Sequence, residues 1–392
     1  MKKVFQYLTL CSVLLAHVGN VSGQGIRFLQ DEPLEKVLSL AKEKNKIIFI
    51  DGYTKTCAPC KELDKKVFPL QEVGDYFNTN FINVKYDLDE SEGKKVREKY
   101  RDVITGYPSL ILLDKDGKMI HKIGGFHPAD SLITKMKDAL NGTNLSTMRV
   151  RMQAGEKSLA FVQAYKKIME DGYLRDEDQK VSIGILNRLS DAEMVNPKMW
   201  QLLGRSVTDP YSTLFGRVVK NYWPFYQNKV TDVGFLEFQL RTAIQRAANE
   251  LVTPVEKDNK LILQNQPEKE NIILGYVKDI DKFKHTEAIK AIFDVHNLAL
   301  KGNWNEMITA MKFYNRIQAL GKSTEFIYKY VQYMMQSCKD KKALIAATGL
   351  LASLPKEHTD VMDYDDNYRT LTRLYVLAGE KALADKYRKL QK

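Results

Sequence analysis

Two cysteines separated by two residues, in Cys57-Ala58-Pro59-Cys60, are the residues whose types and spacing carry chemistry most directly. Thiols at this spacing can close a small disulfide ring and reopen it by exchange. The pair follows the apolar run Ile47-Ile48-Phe49-Ile50-Asp51 by one short loop and precedes a helix-like stretch over residues 61–66. A buried strand aims such a pair at solvent. A cysteine at a helix N-terminus has its thiolate stabilised by unpaired backbone N–H groups and the dipole. This predicts redox chemistry of sulfur, with Cys57 as the exposed attacking thiolate and Cys60, one turn into the helix, as the resolving thiol. Lys55, Lys61 and Lys65 surround the pair with positive charge that favours the Cys57 thiolate.

The compartment is read from the first residues. Met1-Lys2-Lys3, an apolar run from residue 4 to 18 and Val21-Ser22-Gly23 predict a signal peptide over residues 1–23, removed after Gly23. The apolar run is too short to span a bilayer. Cys11 is an unfavourable lipidation site, because Leu8-Thr9-Leu10 before it is bulky. Three cysteines then remain, Cys57, Cys60 and Cys338. That is too few for a disulfide framework and fits a catalytic dithiol plus one buried thiol. No second CxxC completes a zinc site and the six histidines show no ligand spacing around the cysteines, so no metal or other cofactor is expected.

The elements that must position the dithiol alternate between helix and strand. Residues 31–44 have the apolar spacing of a helix and feed a strand at 46–51; a helix follows at 57–67. Residues 81–87 read as a second strand, 94–100 as a helix and 109–113 as a third strand. Asp114-Lys115-Asp116-Gly117 is a hairpin turn into residues 119–123, and a helix over 128–140 closes the unit before the boundary at residues 141–146. The acidic loop 87–92 is expected to be a solvated connection.

The order of these elements, together with CxPCK, Asn-Phe-Ile-x-Val-Lys and Gly-Tyr-Pro, resembles the thioredoxin superfamily over about residues 24–141, and most closely its secreted members similar to the C-terminal domain of DsbD. The resemblance implies an α/β thioredoxin fold, a mixed sheet flanked by helices, over residues 24–146. It also implies three roles. Asp51 would be the buried carboxylate beneath the dithiol, relaying a proton for the resolving thiol; Lys85 would pair with it; Pro108 would be the cis-proline whose neighbouring backbone orients an extended substrate. The chain departs from many thioredoxins at Thr56 and Ala58, where tryptophan and glycine are common, which touches the partner surface. Proline in CxPC is typical of reducing members.

Residues 147–392 show no strand signals and read as an all-α domain, with helices near 159–169, 179–189, 235–251 and 285–300. Helix, turn and helix recur around Gly302, Lys339 and Gly379, similar to degenerate tetratricopeptide-like repeats; the alternative is a compact bundle. The tyrosines around residues 222–226 and 328–333 are core or line a peptide-holding groove. Composition, 44% hydrophobic and 10% aromatic, is that of a folded chain, and the formal charge of +11 reads as a lysine-rich surface. The expected function is that of a periplasmic thiol–disulfide oxidoreductase, a reductase or interchange enzyme. Its expected partners are exported proteins with thiols or disulfides and a membrane electron donor, and no nucleic acid. The competing reading is a helical-repeat adaptor whose thioredoxin-like module is redox-inactive or vestigial. A fragment of residues 24–146 is expected to fold alone.

Overall fold

The computed structural model describes residues 25–229, 233–279, 286–320, 324–354 and 364–391. The predicted signal peptide and Cys11 lie outside them. The chain divides into two compact units, one holding residues up to Ser190 together with Leu202–Ser206, the other Asp191–Gln201 and residues from Val207 onwards.

In the first unit the strand signals become a five-stranded mixed sheet in the order β1-β3-β2-β4-β5. Its strands are β1 (Leu29–Gln30), β2 (Ile47–Tyr53), β3 (Phe81–Asp87), β4 (Ser109–Leu113) and β5 (Met119–Gly124). β3 runs parallel to β1 and to β2, whereas β4 is antiparallel to β2 and to β5. Near-continuous apolar runs in β2 and β4 follow from burial on both faces, since helices cover the sheet front and back. Phe49, Leu110, Leu112 and Ile123 pack with Leu63, Phe77 and Leu132 on one face; Ile48, Ile50, Val84 and Ile111 pack with Val37, Ala41 and Val96 on the other.

The helices are α1 (Leu34–Lys44), α2 (Ala58–Lys66), α3 (Gln71–Asn80), α4 (Ser91–Lys99) and α5 (Ala129–Leu140). Sequence reading passed over β1, too short for a pattern, and α3, whose last turn Asn78-Thr79-Asn80 carries residue types that also mark loops. Asp87 ends β3 as the strand reading of 81–87 expects, but it is buried where the acidic loop 87–92 was expected to be solvated.

Three further helices, α6 (Leu145–Gln153), α7 (Leu159–Asp171) and α8 (Arg175–Arg188), belong to the same unit, which therefore runs past the boundary expected at residues 141–146. α6 and α7 pack on β5. β5 is the last strand in the sheet order, and the cover of these two helices explains the burial of the consecutive polar residues His121 and Lys122. The backbone N–H of Leu145 donates to His121 Nδ1 at 3.4 Å, and burial pushes the His121 imidazole down to about 4, so it is neutral.

The second unit is largely helical, as expected. Its last helices come in pairs: Thr286–Leu300 with Trp304–Arg316, Glu325–Ser337 with Lys341–Ser353, and Tyr364–Ala378 with Lys381–Arg388. The turns fall at Gly302, Lys339 and Gly379, where the sequence put them, and both glycines take positive φ, which favours a residue without Cβ. Tyr328 and Tyr330 are core residues, and Tyr330 Oη donates to the Val252 carbonyl at 2.6 Å. Cys338 is buried, and burial pushes its thiol up. The sequence missed one feature here, a two-stranded hairpin of Val255–Lys257 and Lys260–Ile262. Its strands are three residues long and largely exposed, with no alternation to detect. Its turn residues Asp258 and Asn259 both take positive φ, as a two-residue hairpin of the primed type requires.

Candidate active site

Cys57 and Cys60 form a disulfide at the point where β2 hands over to α2. The local sequence fixes this geometry. Cys57 is the N-cap of α2 in extended conformation, its Sγ accepts from the Cys60 backbone N–H at 3.2 Å, and Pro59 occupies the first turn, where a missing N–H is harmless. The Cys57 N–H is held by the Thr54 carbonyl at 3.1 Å. Cys57 is half-buried, whereas Cys60 is 2% exposed and packs among the core residues. Cys57 is thus the more exposed of the pair and Cys60 the buried one.

Asp51 is the fifth residue of β2, paired in register with Lys85 on β3 and Leu110 on β4. It is 1% exposed and neither carboxylate oxygen accepts a hydrogen bond among the described residues; Lys85 Nζ stands 3.0 Å from Oδ2 as an ion pair. Burial pushes the Asp51 carboxyl up to about 6; Lys85 opposes this and Asp64 adds to it.

Lys85 is itself almost buried and does more than face Asp51. Its ammonium donates to Asp64 on α2 and lies 4.7 Å from the ring centre of Tyr53, 5.5 Å from Phe68 and 5.7 Å from Phe28. Burial pulls the ammonium down, but Asp51 and Asp64 outweigh it and hold it above its ordinary value. The cation therefore stays charged and bridges a buried carboxylate to one whose side chain is 42% exposed.

Asp64 was missed in the sequence. The available signal was its place four residues after Cys60, one helical turn further along α2. Asp64→Asn is expected to move the Asp51 midpoint below about 6, because a like charge is removed and Lys85 keeps one carboxylate; a carboxyl-carbon NMR titration reads this directly. An unmoved or higher midpoint would contradict the coupling.

Pro108 follows a cis peptide from Tyr107 and immediately precedes Ser109, the partner of Gly52 one residue beyond Asp51. Its carbonyl accepts from the Gly125 N–H at 3.1 Å, and Ser109 Oγ donates to the Gly106 carbonyl at 2.7 Å, so the loop is pinned on both sides. All five predicted residues thus sit at one end of three adjacent strands. The lysine ring predicted around the dithiol is weaker than expected, since Lys55 pairs with Glu90 and lies 3.9 Å from Asp87.

Residues 34–140 match the family described as thioredoxin-like domain. The thiol:disulfide interchange protein DsbD of Pseudoalteromonas atlantica is 27% identical over 111 residues, covering 28% of this chain and 19% of that protein. DsbD of Haemophilus influenzae is 27% identical over 124 residues, covering 31% and 21%. The chain spans about a fifth of the length of these curated relatives. A solved structure of a candidate disulphide-isomerase from Bacteroides thetaiotaomicron is 34% identical, covering 30% of this chain and 95% of its own, with a TM-score of 0.28. No described helix is long and apolar enough to cross a membrane. Residues 34–140 are a thioredoxin-like domain, with the Cys57–Cys60 disulfide at the start of its second helix.

Proposed function

We propose that the protein is an exported thiol–disulfide oxidoreductase, acting as reductase or interchange catalyst on protein disulfides. The observation that carries this is a half-exposed cysteine at a helix N-cap, bonded to a buried partner, in the same site as a buried carboxylate pushed up to about 6.

In the reducing direction the Cys57 thiolate attacks one sulfur of a substrate disulfide, forming a mixed disulfide and releasing one substrate thiolate, which takes a proton from water. Asp51 accepts the proton of the Cys60 thiol. The Cys60 thiolate then attacks Cys57 Sγ, closing the Cys57–Cys60 disulfide and releasing the second substrate sulfur as a thiolate. Two electrons pass from the dithiol to the substrate, and an external dithiol, a membrane electron donor in this reading, restores the pair. Lys85 holds Asp51 in register and tempers its affinity for the proton. Pro108 presents the Tyr107 backbone to an extended substrate. The helical region would supply partner choice by raising the effective concentration of substrates beside Cys57. A vestigial module has no reason to keep both cysteines, the buried aspartate and the pinned proline loop together.

Alkylation of the reduced protein at neutral pH should label Cys57 before Cys60, and Cys60→Ser should accumulate mixed disulfides with protein substrates while turnover falls to background. First labelling at Cys60, or normal turnover by Cys60→Ser, would overturn the assignment.

A further inference from the structure

Beside the Pro108 loop stands a residue that the thioredoxin-like domain does not itself provide. Tyr173 lies between α7 and α8, in the helical extension of the first unit. Its backbone is held at φ 55°, an uncommon conformation for a residue with a bulky side chain. Three contacts hold it there. The Tyr173 carbonyl accepts from Thr105 Oγ1 at 2.8 Å; the preceding carbonyl, of Gly172, accepts from Lys122 Nζ at 2.5 Å; and Lys122 also reaches Thr105 Oγ1 at 3.1 Å. Lys122 is fully buried, and burial pushes its ammonium down to about 8, so this anchoring uses a costly group.

The anchored ring is not hidden. Tyr173 remains 44% exposed. It lies across three glycines that flank Pro108: a Cβ at Gly124 would stand 2.5 Å from Tyr173 Cδ2, one at Gly125 2.3 Å from its Oη, and one at Gly106 3.5 Å from Cδ2. Gly125 is the donor to the Pro108 carbonyl and Gly124 pairs with Ser109. Backbone without side chains therefore makes room for the ring of a residue that stays 44% exposed next to the loop. Core packing alone would have buried that ring.

We propose that Tyr173 is a specificity-determining substrate contact. Its exposed ring receives an apolar or aromatic side chain flanking the reactive cysteine of an extended polypeptide bound along Tyr107 and Pro108. The proposal rests on the exchange activity proposed above. It adds that the helical extension contributes to the substrate surface of the thioredoxin-like domain.

The test uses the full chain with Tyr173→Asn, which tolerates positive φ, and Tyr173→Phe, which keeps the ring. Three disulfides are compared: a peptide with phenylalanine beside its cysteine, the same peptide with serine there, and 5,5′-dithiobis(2-nitrobenzoate). Tyr173→Asn should raise KM about tenfold for the phenylalanine peptide, the scale of a lost apolar contact in a binding pocket. It should leave kcat and the other two substrates unchanged, and Tyr173→Phe should behave as the parent. Equal losses on all three disulfides would make Tyr173 a mere buttress of the loop, and an unchanged KM would remove it from the substrate surface; either overturns the proposal while exchange itself stands. A parent protein that reduces none of the three would overturn the exchange reading and this inference with it.

Discussion

Asp51→Asn is expected to stabilise the protein at pH 7 by about 3 kcal/mol and to slow disulfide turnover on the order of a hundredfold, the scale on which a lost proton acceptor acts. The folded-state carboxyl keeps its proton up to about pH 6, whereas an ordinary one loses it near 3.8. Between those values the folded state binds more protons than the unfolded state, so the carboxyl lowers stability progressively as pH rises through this window. Above about pH 6 the cost of the buried charge is present in full. The amide removes that cost, and Lys85 retains Asp64 as its counter-charge.

Urea unfolding at several pH values checks the first half. The two proteins should converge below about pH 4 and separate above about pH 6. Rapid-mixing kinetics checks the second half, with release of the mixed disulfide slowed more than its formation. A variant less stable than its parent at pH 7, or equal slowing of both steps, would sink the argument.

A fragment of residues 25–146 is expected to melt on the order of 10 °C below one of residues 25–206, for a loss of about 2 kcal/mol in a domain of this size. The shorter fragment keeps β5 and discards the cover of that strand. Lys122 loses the Gly172 carbonyl, Gly124 and Gly125 lose Tyr173, and the start of α6, with the buried Leu145, is left at a frayed end without α7 beside it. This departs from the self-sufficiency expected from the sequence at residues 24–146. Equal melting of the two fragments, followed by circular dichroism, would restore the boundary at 141–146.

The site was largely legible in the sequence because its chemistry sits at strand and helix ends that strong local patterns define. The apolar run of β2 set the level of Asp51, and the place of Cys57 at a helix start followed from the helix-like stretch 61–66 just after the pair. Lys85 and Pro108 entered through resemblance, since nothing in Val84-Lys85-Tyr86 alone distinguishes a buried lysine from a solvated one. What remained hidden depends on contacts distant in sequence. Lys122 and Gly172 are 50 residues apart, and Thr105 and Tyr173 are 68 apart. A lysine in an edge strand reads as solvent-facing until the chain returns to cover it. The hairpin at 255–262 was hidden for a different reason: three-residue exposed strands carry no period.

The covered β5 edge has a bearing on aggregation. In the proposed function, the clients are chains that have lost or not yet gained their native disulfides, and such chains seek any open row of backbone donors and acceptors to extend as a strand. At the β5 end of the five-stranded sheet α6 and α7 pack against the strand, and the opposite end is the two-residue β1. A client held through sulfur at Cys57 therefore meets little sheet edge on which to polymerise. In that reading the helices that bring Tyr173 to the loop would also keep the protein from becoming a seed for the fibres its clients could form.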